Sequence, residues 1–194
     1  LGLAFSLACS IILIRYLHRE WTVDTHCVDR ERIVIPIHDI QVTTSISTTE
    51  NCDTTFIPDN QIVRRAPLTF RADEKVTYNE QNYMVNFIAT DSCFLQMFHY
   101  PLVAGTAELS APDHALITQE YANRLFGKQN PVGKTLTIGK YSFTIRGVIL
   151  PPTCKSIFQF DMLIHHKGTK GYYGTDTELL QVLPSVDLES VNKV

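Results

Sequence analysis

The stretch His114–Leu150, HALITQEYANRLFGKQNPVGKTLTIGKYSFTIRGVIL, decides how this chain is read. It encodes a complete supersecondary unit: a short strand at 115–117, a helix at 118–126, a loop and a hairpin. Thr118 is the predicted N-cap, since its hydroxyl can accept from an amide left free in the first helical turn. Tyr121, Ala122, Leu125 and Phe126 recur at helical spacing and form one apolar stripe, while Asn123 and Arg124 fall outside it. Gly127 follows the helix, where a backbone that must turn left-handed favours glycine. Gly133 opens the hairpin, with Leu136 and Ile138 on its first strand and Tyr141, Phe143 and Ile145 on its second. Gly139-Lys140 is a suitable two-residue turn between them. Pro151-Pro152 ends the second strand, because neither proline can donate to a ladder.

Inside this unit, residues 127–135 read GKQNPVGKT, close to the phosphate-cradling pattern GxxxxGK[ST]. Five residues separate Gly127 from Gly133, where that pattern needs four. The order of elements is also reversed, since a phosphate loop opens a helix and this one follows a helix and opens a strand. Without a helix N-terminus there is no set of free amides to hold the anion, so nucleotide binding is not expected here. His165-His166 suggests metal ligation, but adjacent residues of a strand point to opposite faces. No Cys or carboxylate stands at helpful spacing. Asp73/Glu74 reads as a turn, and no GxSxG or other nucleophile context occurs. No catalytic, cofactor-binding or metal-binding residue is therefore assigned.

Outward from the unit, Ile157–Ile164 (IFQFDMLI) reads as a strand with Phe158, Phe160 and Met162 on one face. Leu179–Leu183 reads as a last short strand, and Asp187–Val194 as the start of a further helix. On the N-terminal side, Asp91 is a good cap for a short helix through Phe98. Its Phe94, Leu95, Met97 and Phe98 read as core rather than as a ligand box. Lys75–Tyr78 and Tyr83–Ala89 make a hairpin around residues 79–82, with Val85, Phe87 and Ala89 on one face and Asn86 on the other. Gln61–Arg65 reads as a short strand ending before Pro67. Residues 41–60 are rich in Thr, Ser, Asn and Asp and read as a polar loop, the first place to look for recognition. Ile33, Ile35 and Ile37 alternate as in a half-buried strand.

The bulk properties narrow the class. At 194 residues the chain holds one sizeable domain, or a domain and a small subdomain. Its 44% hydrophobic and 10% aromatic content is that of a globular protein, and a formal charge of -3 gives no electrostatic case for nucleic acid. Of five cysteines, Cys9 lies in the apolar N-terminus. Cys27, Cys52, Cys93 and Cys154 show no CxxC and no metal-ligand spacing. Those four can pair in an oxidising compartment or serve as small buried side chains, the commoner use of scattered Cys.

The N-terminal run LGLAFSLACSIILI (1–14) carries no charge. As a helix it spans about 21 Å at 1.5 Å per residue, against about 30 Å for a bilayer core. No small-residue cleavage site follows. Instead the chain continues RYLHREWTVD, with Tyr16 and Trp21 where an interfacial aromatic belt would lie. The reading is the C-terminal part of a transmembrane helix and stalk over 1–22, although Arg15 and Arg19 would suit a cytoplasmic flank better.

Three groups of residues together resemble the extracytoplasmic core domain of the MacB/FtsX-like ABC transporter permeases. They are Phe126-Gly127, then Asn130-Pro131-Val132-Gly133-Lys134, then Gly147-Val148 before a proline turn. The run FHYPLVAG at 98–105 and the FQFDMLI at 158–164 extend the resemblance, and the apolar N-terminus resembles the family's first membrane helix. It implies an α+β fold, a mixed-sheet periplasmic core domain with βαβ-like lobes, over residues 23–186. A membrane-helix and stalk segment would precede it, and 187–194 would begin the helix toward the next span. It further implies a non-enzymatic subunit of the inner membrane with this domain in the periplasm. A permease dimer, a separate ATPase subunit, and a periplasmic protein, peptide or lipid substrate are the implied partners. No cofactor and no nucleic acid are implied. The rival reading is the ligand-sensing ectodomain of a receptor anchored by one or two membrane helices. The permease reading requires a second membrane helix soon after Val194 and two more beyond it, and a cytoplasmic kinase or a stop codon there would sink it.

Overall fold

The computed structural model describes residues 2–21, 27, 29–36, 57–151, 156–169 and 177–187. In chain order its elements are α1 (Gly2–Trp21), β1 (Ile33–Val34), β2 (Ile62–Tyr78), β3 (Gln81–Thr90), α2 (Ser92–Met97) and β4 (Leu102–Gly105). They continue with β5 (His114–Thr118), α3 (Gln119–Phe126), β6 (Thr135–Ile138), β7 (Tyr141–Ile149), β8 (Met162–His165) and β9 (Thr177–Val182). Short 3-10 turns lie at Arg30–Arg32, Asp59–Gln61 and His166–Thr169.

The spine is β2, 17 residues long and unbroken by Pro67. The sequence reading of two short strands is corrected here. The first part of β2 pairs with β9, ending at Leu68↔Thr177, and the second pairs with β3 from Thr69↔Ala89 onward. Pro67 lies opposite Glu178, before β3 has joined, so one flank of the strand has no ladder that needs its missing N–H. The expected 79–82 loop tightens to the two residues Asn79 and Glu80, both at positive φ (47 and 64), as a type I′ turn requires. Asp73, also at positive φ, marks a bulge in β2 and donates its amide to the Asn86 side chain at 3.0 Å.

The strand order is β1-β9-β2-β3-β8-β5-β7-β4, with β6 joined to both β7 and the far end of β2. The path β2-β3-β8-β5-β7-β6 therefore returns to β2. Closure of this kind removes the edges those strands would otherwise expose. The pairs β3/β8 and β5/β7 are parallel and all other named pairs are antiparallel. The mixed sheet is as expected. The βαβ-like lobes are realised as parallel pairs within one sheet, of which β5–α3–β7 is the compact example.

Alternation along β3, β5 and β8 gives this sheet two cores. Phe87 and Ala89, Ala115 and Ile117, and Met162 and Ile164 join the α3 stripe with Phe143 and Ile145 of β7 and Leu136 and Ile138 of β6. The intervening Ile88, Leu116 and Leu163 pack on the other side, against Phe94, Met97, Phe98, Tyr100 and Phe158. Strands covered on both faces read as continuous apolar runs, which is why Met162–His165 is buried throughout. The cap predictions hold: Asp91 accepts from the Cys93 amide at 2.8 Å and Thr118 from that of Tyr121 at 3.3 Å.

The predicted strand 157–164 is corrected to Met162–His165. Ser156 accepts from the Phe158 amide in a local turn, and the Asp161 carboxylate and amide engage the Asn86 backbone at 2.9 and 2.7 Å. The Ser156 bond is of the local kind that competes with a ladder, whereas Asp161 is tied across the sheet to Asn86 of β3. Phe158 consequently lies in the α2-side core and Met162 in the α3-side core, so the two share no face. Its ring sits edge-on to Phe94 and Phe98, with centroids at 5.5 and 5.0 Å. Burial of a ring this size stabilises by roughly 1.5–3 kcal/mol.

At the N-terminus, α1 is helical as expected. Its described side chains from Phe5 to His18 are exposed except Cys9, which is half-buried. Among the described residues no helix is long and apolar enough to cross a membrane. The strand expected at 33–37 is shortened to β1, Ile33–Val34, paired to β9; Ile35 and Pro36 lie beyond it, and Ile37 is outside the described residues. Most of the 41–60 loop and the expected helix at 187–194 also lie outside them. Cys9 and Cys93 are free thiols, and Cys27 and Cys93 pack against the α2-side core. Cys52 and Cys154 are not described.

Candidate functional site

The loop that imitates a phosphate cradle is bonded to itself. The Gly133 amide donates to the Ile145 carbonyl at 2.8 Å, that of Lys134 to Pro131 at 3.0 Å, and that of Val132 to the Asn130 side chain at 3.0 Å. The Lys134 ammonium lies 4.7 Å from the Phe126 ring centre and 5.7 Å from that of Tyr78, and bonds Gln129 Oε1 at 2.7 Å. The amides of Val132, Gly133 and Lys134 and the Lys134 ammonium are therefore already engaged. Asn130, Gly133 and Lys134 act as scaffold.

The reading of His165 and His166 as residues on opposite faces is corrected. His165 ends β8 and His166 begins the 3-10 turn, so the strand alternation stops between them. Their rings stack at 4.6 Å with 22° between planes. His165 Nδ1 accepts from the Lys167 amide at 3.1 Å. Burial first, then the His166 charge, pushes the His165 imidazole below its usual range. Among the described residues no group of three or more His, Cys, Asp or Glu is arranged to hold a metal ion.

A polar cluster that the sequence reading missed joins α3 to the sheet. The Arg124 guanidinium lies 4.6 Å over the Tyr121 ring, bonds the Met84 carbonyl at 3.2 Å and stands 3.5 Å from the Asp161 carboxylate. Burial is the main cause that pushes the Tyr121 phenol up to about 12. The only sequence signal was an arginine beside the stripe. Its partner is 37 residues away and cannot be inferred from spacing. Asp73 and Glu74 sit at the β2 bulge rather than in a site.

The geometry is therefore that of a scaffold: closed ladders, two apolar cores, an apolar helix and no assembled chemistry among the described residues. Compared with protein families, residues 1–192 match the MacB-like periplasmic core domain. The chain belongs to this family. Among curated proteins, none matches the chain. Solved structures similar to this MacB-like domain include a permease-protein domain from Porphyromonas gingivalis, at 23% identity and TM-score 0.54, covering 69% of this chain and 61% of that one. The periplasmic region of MacB from Actinobacillus actinomycetemcomitans follows at 13% identity and TM-score 0.55, covering 68% and 65%. The extracellular domain of the noncanonic ABC-type transporter YknZ from Gram-positive bacteria gives 17% and 0.54, covering 68% and 71%. At these identities the likeness is one of fold. This chain spans 61% and 65% of the length of the first two of these.

Membership gives the motif residues of the MacB-like domain a physical meaning. Gly147 of β7 stands beside Gly105 of β4 in register. A Cβ on Gly147 would fall 2.5 Å from the Thr106 carbonyl oxygen, so only glycine lets β4 approach. Gly127 takes φ 59 at the end of α3. These positions build the fold.

Proposed function

We propose that this chain is the extracytoplasmic domain of an ABC transporter permease subunit, held by α1 as the C-terminal part of a transmembrane helix. In this reading the subunit works as a dimer in the inner membrane with a separate ATPase. ATP-driven movement of the membrane helices would reach the domain through the stalk over residues 1–22. The closed sheet would carry that motion as a stiff body to a periplasmic protein, peptide or lipid. The family match over nearly the whole chain is the observation that carries this. An apolar helix with exposed side chains supports the anchor, because a helix without a polar face needs an apolar surrounding. A closed sheet with no metal-ligand cluster among the described residues is compatible with a transmission part.

The test is made on the complete membrane protein. Trypsin added outside spheroplasts is expected to cut the exposed Gly139-Lys140 hairpin turn, and detergent extraction is expected to bring down an ATPase subunit. Protection of the hairpin in intact spheroplasts overturns the location. Co-purification of a covalently continuous kinase in place of an ATPase subunit overturns the transport role in favour of a receptor ectodomain.

A further inference from the structure

Three imidazoles meet at the end of the sheet where β3 and β8 finish and β5 begins. Register places Thr90 beside His165 on one side, and Ala115 opposite Ile164 on the other. The next step of that antiparallel register brings His114 to His165. His166 stacks on His165 from the following turn. His165 is 8% exposed. The Nδ1 atoms of His114 and His166 and the Thr90 hydroxyl are buried with no hydrogen-bond partner. The titratable groups acting on His165 are His166 and Lys167 from the 3-10 turn, Asp91 from the cap of α2, and His114 from β5.

We infer that His165, with His114 and His166 around it, is a proton-sensitive latch that holds the His166–Thr169 turn against the sheet at neutral pH and releases it in acid. The inference stands apart from the transport reading. At neutral pH the His165 Nδ1 lone pair accepts the Lys167 N–H, which places the ring proton on Nε2. The turn so held is closely seated: a Cβ on Gly168 would fall 2.2 Å from the Pro112 oxygen and 2.5 Å from the Phe143 ring.

A second proton on His165 must go to Nδ1. That turns the acceptor into a donor facing the Lys167 N–H, and the bond is lost. The new charge lies against the stacked His166 and near Lys167, with Asp91 the acidic group among the described residues that acts on it. Opening of the turn exposes the rings to water and relieves each conflict. The sign follows from the lowered folded-state affinity of His165 for its proton. The open form binds the proton more readily, so the closed form loses stability as pH falls below about 6.5, the ordinary imidazole value.

The experiment uses the 194-residue chain in detergent micelles. Imidazole nitrogen NMR reads the tautomer and charge of His165, and amide exchange, corrected for its intrinsic pH dependence, reads Lys167 and Gly168. The expected result is a neutral His165 carrying Nε2–H at pH 7.5. Protection at Lys167 then falls by up to about tenfold per pH unit below 6.5 for one proton taken up, while the Ile88 amide in β3 stays protected. His165→Asn, which keeps an acceptor near Nδ1 but cannot titrate, is expected to hold the Lys167 amide protected at all pH, and His165→Ala to leave it unprotected throughout. The inference is overturned if protection at Lys167 does not change with pH, or falls equally in His165→Asn. Should that variant fail to fold, a doubly protonated His165 beside a still-protected Lys167 amide in the unaltered chain overturns it as well.

Discussion

Two glycines of the family motif act through different physics, and substitution separates them. Gly127 has nothing within 4 Å of where a Cβ would be, but its φ is 59. Alanine and serine there should each destabilise by about 1–3 kcal/mol, the same for both, because the backbone alone is strained. Gly147 takes no positive φ, but its Cβ would press on the backbone oxygens of Thr106 and Ala104 at 2.5 and 3.1 Å. Here the penalty should grow with size, from about 1–3 kcal/mol for alanine to more for valine, as overpacking does. Urea denaturation of the four variants checks this, and an equal penalty for Gly147→Ala and Gly147→Val would remove the close-approach account. In sequence these two positions look alike. Only the placement of β4 against β7 tells them apart.

At the scale of elements, the segment 156–160 gives the sharpest contrast between pattern and fold. Ile157 is 61% exposed while Phe158 is wedged between Phe94 and Phe98. Phe158→Ala should destabilise by about 3–5 kcal/mol through the cavity it leaves, and Ile157→Ala should stay within about 0.5 kcal/mol. Equal losses in chemical denaturation at the two positions would restore the regular strand that the alternation suggested. The elements legible from sequence were those whose determinants are local. The caps Asp91 and Thr118, the stop at Gly127 and the Gly139-Lys140 turn each act within a few residues. Pro67 was misread because its tolerance depends on β9, more than a hundred residues away, and Phe158 because Asp161 is held by Asn86 across the sheet. The meeting of His114 with His165 was not legible, because it depends on strand order.

At the scale of the whole molecule, α1 and the sheet are separable in energy. Both cores are assembled from β2 onward with the support of Cys27 and Ile33, and among the described side chains neither includes one of α1. Phe5, Leu7, Ile11, Ile12, Leu13 and Ile14 are all exposed, so none gains in this chain the roughly 1.5–3 kcal/mol that burial of such a side chain supplies. In the proposed transport reading a bilayer supplies it. Removal of residues 1–22 should therefore leave the unfolding free energy within about 0.5 kcal/mol of the full chain, both measured in the same detergent. The same deletion should abolish flotation with lipid vesicles. A loss of several kcal/mol on deletion would mean that α1 packs on the sheet and belongs to the core. Flotation that survives deletion would place the membrane contact on the domain itself, and motion of a stalk could then no longer be what reaches it.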